Sequence, residues 1–274
     1  LDSEGGQTNG IMFDSNRLSF DPEKGDIVHV TGTLQSYNGQ LQLKITDIKK
    51  GNSEDMLDFL PKSKNNPDEM LKDLKNIFSG ITCSYIKELV EKFFKDEKIL
   101  QLFKYHPAAK NVHHAYISGL LEHTLSVVKL ASFMADYYKE LVNRDILLVG
   151  ALFHDIGKLF ELDIQKGFDY TDSGKLLGHL LMGIELVSSY ISEIEKFPVV
   201  KKNLILHLIA SHHGVEDFGA IKKPKTYEAV ILHHIDDLDA KMNNISSIFA
   251  KENVESGWSS YDRLLERQLF RYKE

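Results

Sequence analysis

The sequence predicts a mainly α-helical fold: a helical bundle preceded by a small, incomplete β segment. Three observations carry that reading. From residue 69 to the C-terminus, apolar side chains return at steps of three and four, the period of helices with one buried face. Before residue 52 the pattern is alternation instead, with Leu41, Leu43 and Ile45 interleaved with Gln42, Lys44 and Thr46. Between the two lies a tract rich in Ser, Lys, Asn, Asp and Pro, NSEDMLDFLPKSKNNPDEM. The chain therefore divides into a β domain at 1–52, a linker at 53–73 and a helical domain at 74–274.

In the β segment, residues 27–30 form one expected strand and 41–45 another. Tyr37-Asn38-Gly39 stands between them, and Asn-Gly between alternating segments is a strong hairpin signal. A second pair, Asn9-Gly10, precedes a candidate strand at Ile11-Met12-Phe13, with no alternating segment in front of it. About three strands do not close a barrel and leave an open edge. In the linker, Pro61 and Pro67 punctuate the chain. Asn66-Pro67-Asp68-Glu69 then opens a helix, with proline in the first turn and acids behind it.

Helical segments are expected at 69–79, 84–95, 97–105, 114–138, 144–153, 176–195, 199–212, 227–249 and 259–272. One interruption, ELDIQKGFDYTD at 161–172, carries Lys166-Gly167 between Ile164 and Phe168, the wording of a small hairpin.

The single cysteine, Cys83, excludes an internal disulfide and cysteine-rich zinc sites, and fits a reducing, cytoplasmic setting. No apolar run approaches the ~20 residues of a membrane span. The chain opens on Leu1, not methionine, which reads as a fragment. A formal net charge of −7 argues against a broad basic face for nucleic acid, but not against a local groove or a site whose positive charge comes from bound cations.

The chemistry gathers around LLVGALFHDIGK, residues 147–158. Leu147, Leu148, Ala151 and Leu152 mark a buried helix that ends in His154 and Asp155. Burying that pair is costly unless something neutralises it, and a divalent cation would. The competing reading is a polar helix end, with Gly157 as its cap and Lys158 against the dipole. Other helices add candidates. His123 shares a face with Leu120, Val127, Leu130 and Met134 and so points inward. His179 follows Gly178, His212-His213 end a helix before Gly214, and Asp236 lies in HHIDDLDAK. Each has a dull explanation alone. Together they are nitrogen and oxygen donors on different helices, which is how bundles build metal sites, and they exceed what one ion in an open site needs.

The order and local wording of SGLLEHTLSV, GALFHDIGK, LLGH, SHHG and ILHHIDDLDAK resemble the HD-domain phosphohydrolase superfamily. VHVTGTLQSYNGQLQLKITDI resembles the last strands of an OB-fold, whose first two strands would lie before Leu1. The two together are similar to the YhaM-type 3′-to-5′ exoribonucleases of bacteria, over nearly the whole chain. The resemblance implies that His123, His154, Asp155 and Asp236 are the core metal ligands. It implies that His179 and His212, with His213 as the substitute, hold a second ion, that Asp155 bridges the two, and that Lys158 contacts phosphate. No Gly-Tyr-Pro follows the histidine pair, which disfavours the cyclic-dinucleotide branch of the superfamily.

The implied reaction is phosphodiester hydrolysis, with two ions about 4 Å apart holding a hydroxide and stabilising in-line attack. Manganese is the expected ion, with iron, cobalt or magnesium as alternatives. Candidate contacts to a single-stranded RNA or DNA are His113, His114, Lys222, Lys223 and Lys225, and the rings of Trp258, Tyr261, Phe270 and Tyr272 beside Arg271. The solvated or packed alternative stands for each of them. An open barrel edge also allows self-association into a homo-oligomer. Two other functions remain open at this level: a phosphohydrolase of free nucleotides, and a regulatory module that binds nucleic acid without cutting it.

Overall fold

In a computed structural model, the residues described are all except 1–7, 14–17, 19, 24, 38–39, 52–59, 111–113, 165–167, 216–218, 253–256 and 273–274. A three-stranded sheet comes first: β1 (Asn9–Ile11), β2 (Val28–Tyr37) and β3 (Gln40–Lys50). β2 and β3 pair antiparallel, as expected, although the Asn38-Gly39 turn itself lies outside the described residues. β1 crosses over to pair with β3 in parallel, giving the order β1-β3-β2. This corrects the expectation for Asn9-Gly10. The pair lies inside the strand, and Met12 and Phe13 fall beyond its end. Leu34 opposite Leu43, Gly32 opposite Ile45 and Val30 opposite Ile48 give the sheet one apolar face. Val30, Leu34 and Leu41 on that face are exposed.

The helical body follows with α1 (Pro67–Phe78), α2 (Ser84–Lys95), α3 (Glu97–Tyr105), α4 (Gly119–Tyr137), α5 (Arg144–Phe153) and α6 (Lys158–Glu161). A two-stranded ribbon, β4 (Leu162–Asp163) and β5 (Asp169–Tyr170), precedes α7 (Asp172–Ser192), α8 (Val199–Ser211) and α9 (Tyr227–Lys251). The ribbon is antiparallel, and its expected Lys166-Gly167 turn lies outside the described residues. Caps explain several of the starts. Asn66 accepts from Asp68 N, Asn143 from Ile146 N, Thr171 from Gly174 N and Thr226 from Ala229 N. No helix among the described residues is long and apolar enough to cross a membrane.

α5 is the axis of the body. Every residue from Asp145 to Phe153 is buried, so it has no solvent face, and it packs against α2, α4, α8 and α9. Its Gly150 is there for space, because a Cβ would collide with the Leu208 side chain of α8. Asp145 ties the start of α2 to the start of α5 by accepting from Thr82 N, Thr82 Oγ1 and Cys83 N at 2.7–3.0 Å.

Two expected helices need correction. The one placed at 114–138 begins only at Gly119. His114 and Ser118 take left-handed φ values of 54° and 67°, and Ile117 is held in an extended bridge by Pro61 and Ser63. A partner more than fifty residues away wins over the local period. The helix placed at 259–272 does not form. Trp258 bridges Phe270 and Asp262 bridges Arg267 as antiparallel pairs, closed by Glu266 at φ 53°. The rings of Trp258 and Phe270 pack 4.9 Å apart, so the spacing taken for a helix is that of a small hairpin.

Candidate metal centre

α5 delivers His154 and Asp155 at its end, in the turn that leads to α6. Gly157 is not a left-handed cap, since its φ is −67°. It is small because α7 comes in close: a Cβ there would strike His179 O and lie 2.5 Å from Gly183 N. The glycine therefore lets the His154-Asp155 turn meet the start of the second half of α7.

That half begins at a break. Gly178, at φ 72° and ψ 159°, interrupts α7 and leaves the N–H of His179 without an intrahelical acceptor. Glu161 supplies one. Its Oε1 accepts from His179 N at 3.0 Å and from His179 Nδ1 at 3.1 Å. α8 contributes His212 and His213 in the turn after Ser211, and α9 contributes Asp236. Asp237 points elsewhere, half exposed and paired with Lys241 at 2.6 Å.

Two clusters result. In the first, His123 Nε2 is 3.1 Å from His154 Nε2, 3.1 Å from Asp236 Oδ1 and 3.5 Å from Asp155 Oδ2. His154 Nε2 is 3.4 Å from Asp155 Oδ2 and 3.6 Å from Asp236 Oδ1. In the second, His179 Nε2 is 3.2 Å from His213 Nε2, and both His179 Nε2 and His212 Nε2 are 3.5 Å from Asp155 Oδ1. The two oxygens of Asp155 thus face different clusters. His212 and His213 both join the second group, although the sequence suggested only one of them.

The tautomers decide what these clusters want. His154 Nδ1 donates to Ala151 O and His212 Nδ1 donates to Ile209 O, each at 2.9 Å and each to a carbonyl that can only accept. His123 Nδ1 donates to Asp239 Oδ2 at 2.7 Å. Each Nε2 is then left as a lone pair aimed at other acceptors. Asp155 Oδ1 is buried with no hydrogen-bond partner, as is His213 Nδ1. Acceptors crowded at 3.1–3.6 Å repel one another unless a cation or protons sit among them. Donors about 2.1 Å from a common ion lie about 3.0–3.4 Å from each other, so the spacing fits a divalent ion held by imidazole and carboxylate.

The charge states show the same demand for positive charge: burial lowers His123, but Asp155, Asp236 and Asp239 outweigh it and raise the ring well above the usual imidazole range, so that a proton takes the place of a cation there. Burial opposes ionisation of Asp155, but Lys158, His154 and His123 outweigh it and hold the carboxyl well below the usual range. Asp236 is lowered too, burial being overcome by His123 and His154. Burial, then His212 and His179, push His213 down to about 3, which keeps it neutral and able to ligate. Lys158 Nζ sits 2.6 Å from Asp155 Oδ2, and despite burial that carboxylate keeps it cationic.

The expected strand contacts divide. Lys222, Lys223 and Lys225 are exposed. Their loop is tied to Ala210 O by Ile221 N and Lys222 N, within a turn of the histidine pair. His113 lies outside the described residues. His114 is neither a solvent-facing helix start nor open to phosphate: it is buried, with Nδ1 bonded to Tyr116 Oη at 2.8 Å and Nε2 to Asp239 Oδ2 at 3.1 Å. Trp258, Tyr261, Phe270 and Tyr272 are exposed on the terminal hairpin. Two residues to which the sequence assigns no role, Asp239 and Glu161, stand directly behind His123 and His179. Asp239 was signalled by its place three residues after Asp236 on one helix face. Nothing local marked Glu161.

The family model for the HD domain matches residues 120–241, which span every donor described. The chain is 35% identical over 236 residues to the 3′-5′ exoribonuclease YhaM of Geobacillus sp. (strain WCH70), covering 84% of this chain and 70% of that one. It is 33% identical over 266 residues to the 3′-5′ exoribonuclease YhaM of Bacillus subtilis (strain 168), covering 94% and 81%. With the protein of that name from Listeria innocua it shares 32% over 258 residues, covering 90% and 79%. No solved structure matches the chain.

Proposed function

The chain belongs to the family of YhaM 3′-5′ exoribonucleases, and we propose that it removes nucleotides from the 3′ end of single-stranded RNA by metal-dependent hydrolysis at the Asp155 centre. The observation that carries the reading is the ring of acceptors around Asp155, with one carboxylate oxygen turned to each cluster. His123, His154, Asp155 and Asp236 would hold one ion, and His179, His212 and His213 with Asp155 the other. Two divalent ions at such a site supply Lewis-acid stabilisation to the attacking and leaving oxygens of an in-line displacement. Manganese suits the thiolate-free donor set, as do iron, cobalt and magnesium.

The chain's own groups supply the rest. Lys158 is a compact cation at the edge of the first cluster, suited to a non-bridging phosphate oxygen. The exposed Lys222 and Lys223, in the loop after the histidine pair, are the groups we assign to the phosphates of an entering strand. The sheet of β1, β2 and β3, in the domain assigned to 1–52, is read as strands of an OB-type fold that grips the strand of RNA, joined through 53–73 to the catalytic body at 74–274. The parallel crossover of β1 onto β3 supports a barrel-like topology over a plain meander.

The test is a manganese-dependent digestion of a 5′-labelled single-stranded RNA, with a DNA strand alongside. A ladder shortening one nucleotide at a time from the 3′ end is expected. Hydrolysis of mononucleotides alone would make the protein a nucleotidase, and binding without cleavage a regulatory module. Deletion of 1–52 is expected to spare short substrates and weaken long ones.

A further inference from the structure

Asp239 and Glu161 stand behind the clusters and belong to neither donor ring. Asp239 joins three elements. Its Oδ2 accepts from His123 Nδ1 at 2.7 Å and His114 Nε2 at 3.1 Å, and its Oδ1 accepts from Ser126 Oγ. Glu161 Oε1 accepts from His179 Nδ1 at 3.1 Å and from His179 N at 3.0 Å. A carboxylate can only accept, so each fixes the hydrogen on Nδ1 and leaves Nε2 as the ligating lone pair. The division is one to one. Asp239 serves a histidine of the first cluster, and Glu161 one of the second. His154 and His212 use the carbonyls of Ala151 and Ile209 for the same purpose, which no side-chain substitution removes.

We propose that Asp239 and Glu161 are positioning residues, each aiming one histidine, so that the affinities of the two ion sites can be changed separately. This rests on the reading that the clusters hold divalent ions. The competing account is purely architectural: Asp239 ties α4 to α9, and Glu161 caps the restart of α7 after Gly178. An architectural role predicts a lower melting temperature and equal weakening of both ions.

The experiment strips wild type, Asp239→Asn and Glu161→Gln of metal, compares their melting, and titrates each with Mn²⁺ by calorimetry. Absorption spectra of the Co²⁺-loaded proteins report the ligand geometry. Wild type is expected to bind in two phases. Loss of an orienting partner typically costs about 10–100-fold in metal affinity. Asp239→Asn should therefore weaken one phase by about that factor, and Glu161→Gln the other, each with its own change in the Co²⁺ spectrum. If Asp239→Asn does not fold, Ser126→Ala removes a donor to the same carboxylate and should weaken the same phase more mildly. Equal weakening of both phases, or phases and spectra like those of wild type, overturns the proposal. A wild-type protein that binds no Mn²⁺ overturns it together with the function proposed above.

Discussion

The two donor clusters share Asp155 and little else. The first draws on a helix interior, the end of the most buried helix and the middle of a long one: His123 on α4, His154 after α5, Asp236 on α9. Its histidines are at most 1% exposed. The second is built from interruptions. His179 follows the break at Gly178, and His212-His213 lie in a turn closed by Gly214 at φ 80°. The side chain of His179 is 12% exposed, and that of His213 is also only partly buried. The first cluster is thus fixed by helix packing, whereas the second is fixed by turns and by glycines that permit close approach. Packing is stiffer than a turn. The first site is expected to bind its ion more tightly and exchange it more slowly.

The largest effect should come from the one residue common to both. On the proposed two-ion site, Asp155→Asn would remove the negative charge that bridges the ions and should abolish both binding phases, with turnover lost at any practical Mn²⁺ concentration. Metal analysis of the purified variant checks this, and retention of either ion would show that the clusters do not depend on a bridge. Lys158→Ala comes next. An ammonium is no ligand, so both ions should stay while turnover falls about 10²–10³-fold, the usual cost of one electrostatic donor. Loss of metal, or normal cleavage, would reduce Lys158 to a helix-start residue.

Gly157→Ala separates the clusters by geometry. The new methyl would push on His179 O and move α7 away from the Asp155 turn. Overpacking of this kind costs about 1–3 kcal/mol. Melting should register that cost, and Mn²⁺ titration should show the second phase weakened with the first retained. Equal loss of both would deny the turn-built site its independence.

The smallest effect concerns a histidine in neither cluster. His106 is 2% exposed, and burial pushes its pKa from 6.5 down to about 4. The folded protein keeps the ring neutral where the unfolded chain takes up a proton. Stability should therefore fall as pH drops from 6.5 to 4, by up to roughly 3 kcal/mol. His106→Gln should flatten that part of the acid limb in denaturation curves at stepped pH, and an unchanged slope would place the acid sensitivity elsewhere.

What the sequence made legible was local. Ser84–Lys95, Glu97–Tyr105 and Arg144–Phe153 match their expected ends: Asp96 and Asn143 cap the latter two in agreement with the apolar period, and the period alone marks the first, whose N-cap Cys83 makes no side-chain bond. The seven donor candidates converge because helices of a bundle project side chains toward one axis, which spacing alone can suggest. The misses have long-range causes. His114 is held out of helix by a bridge to residues 61–63, and β1 reaches β3 in parallel, across a connection that no hairpin signal announces. Glu161 acquires its role only because α7 breaks at Gly178 and needs an acceptor, a fact of tertiary structure that three- and four-residue steps do not encode.

The terminal hairpin has a consequence for how this protein reports on itself. Trp258 is the only tryptophan in the chain and sits half exposed on that hairpin, against Phe270. Tryptophan fluorescence, excited selectively over that of the tyrosines, therefore watches a peripheral ribbon rather than the bundle, whereas far-ultraviolet circular dichroism watches the helices. Coincident denaturation curves from the two probes would make hairpin and bundle one cooperative unit; a fluorescence transition at lower denaturant would make the ribbon a separately melting foldon.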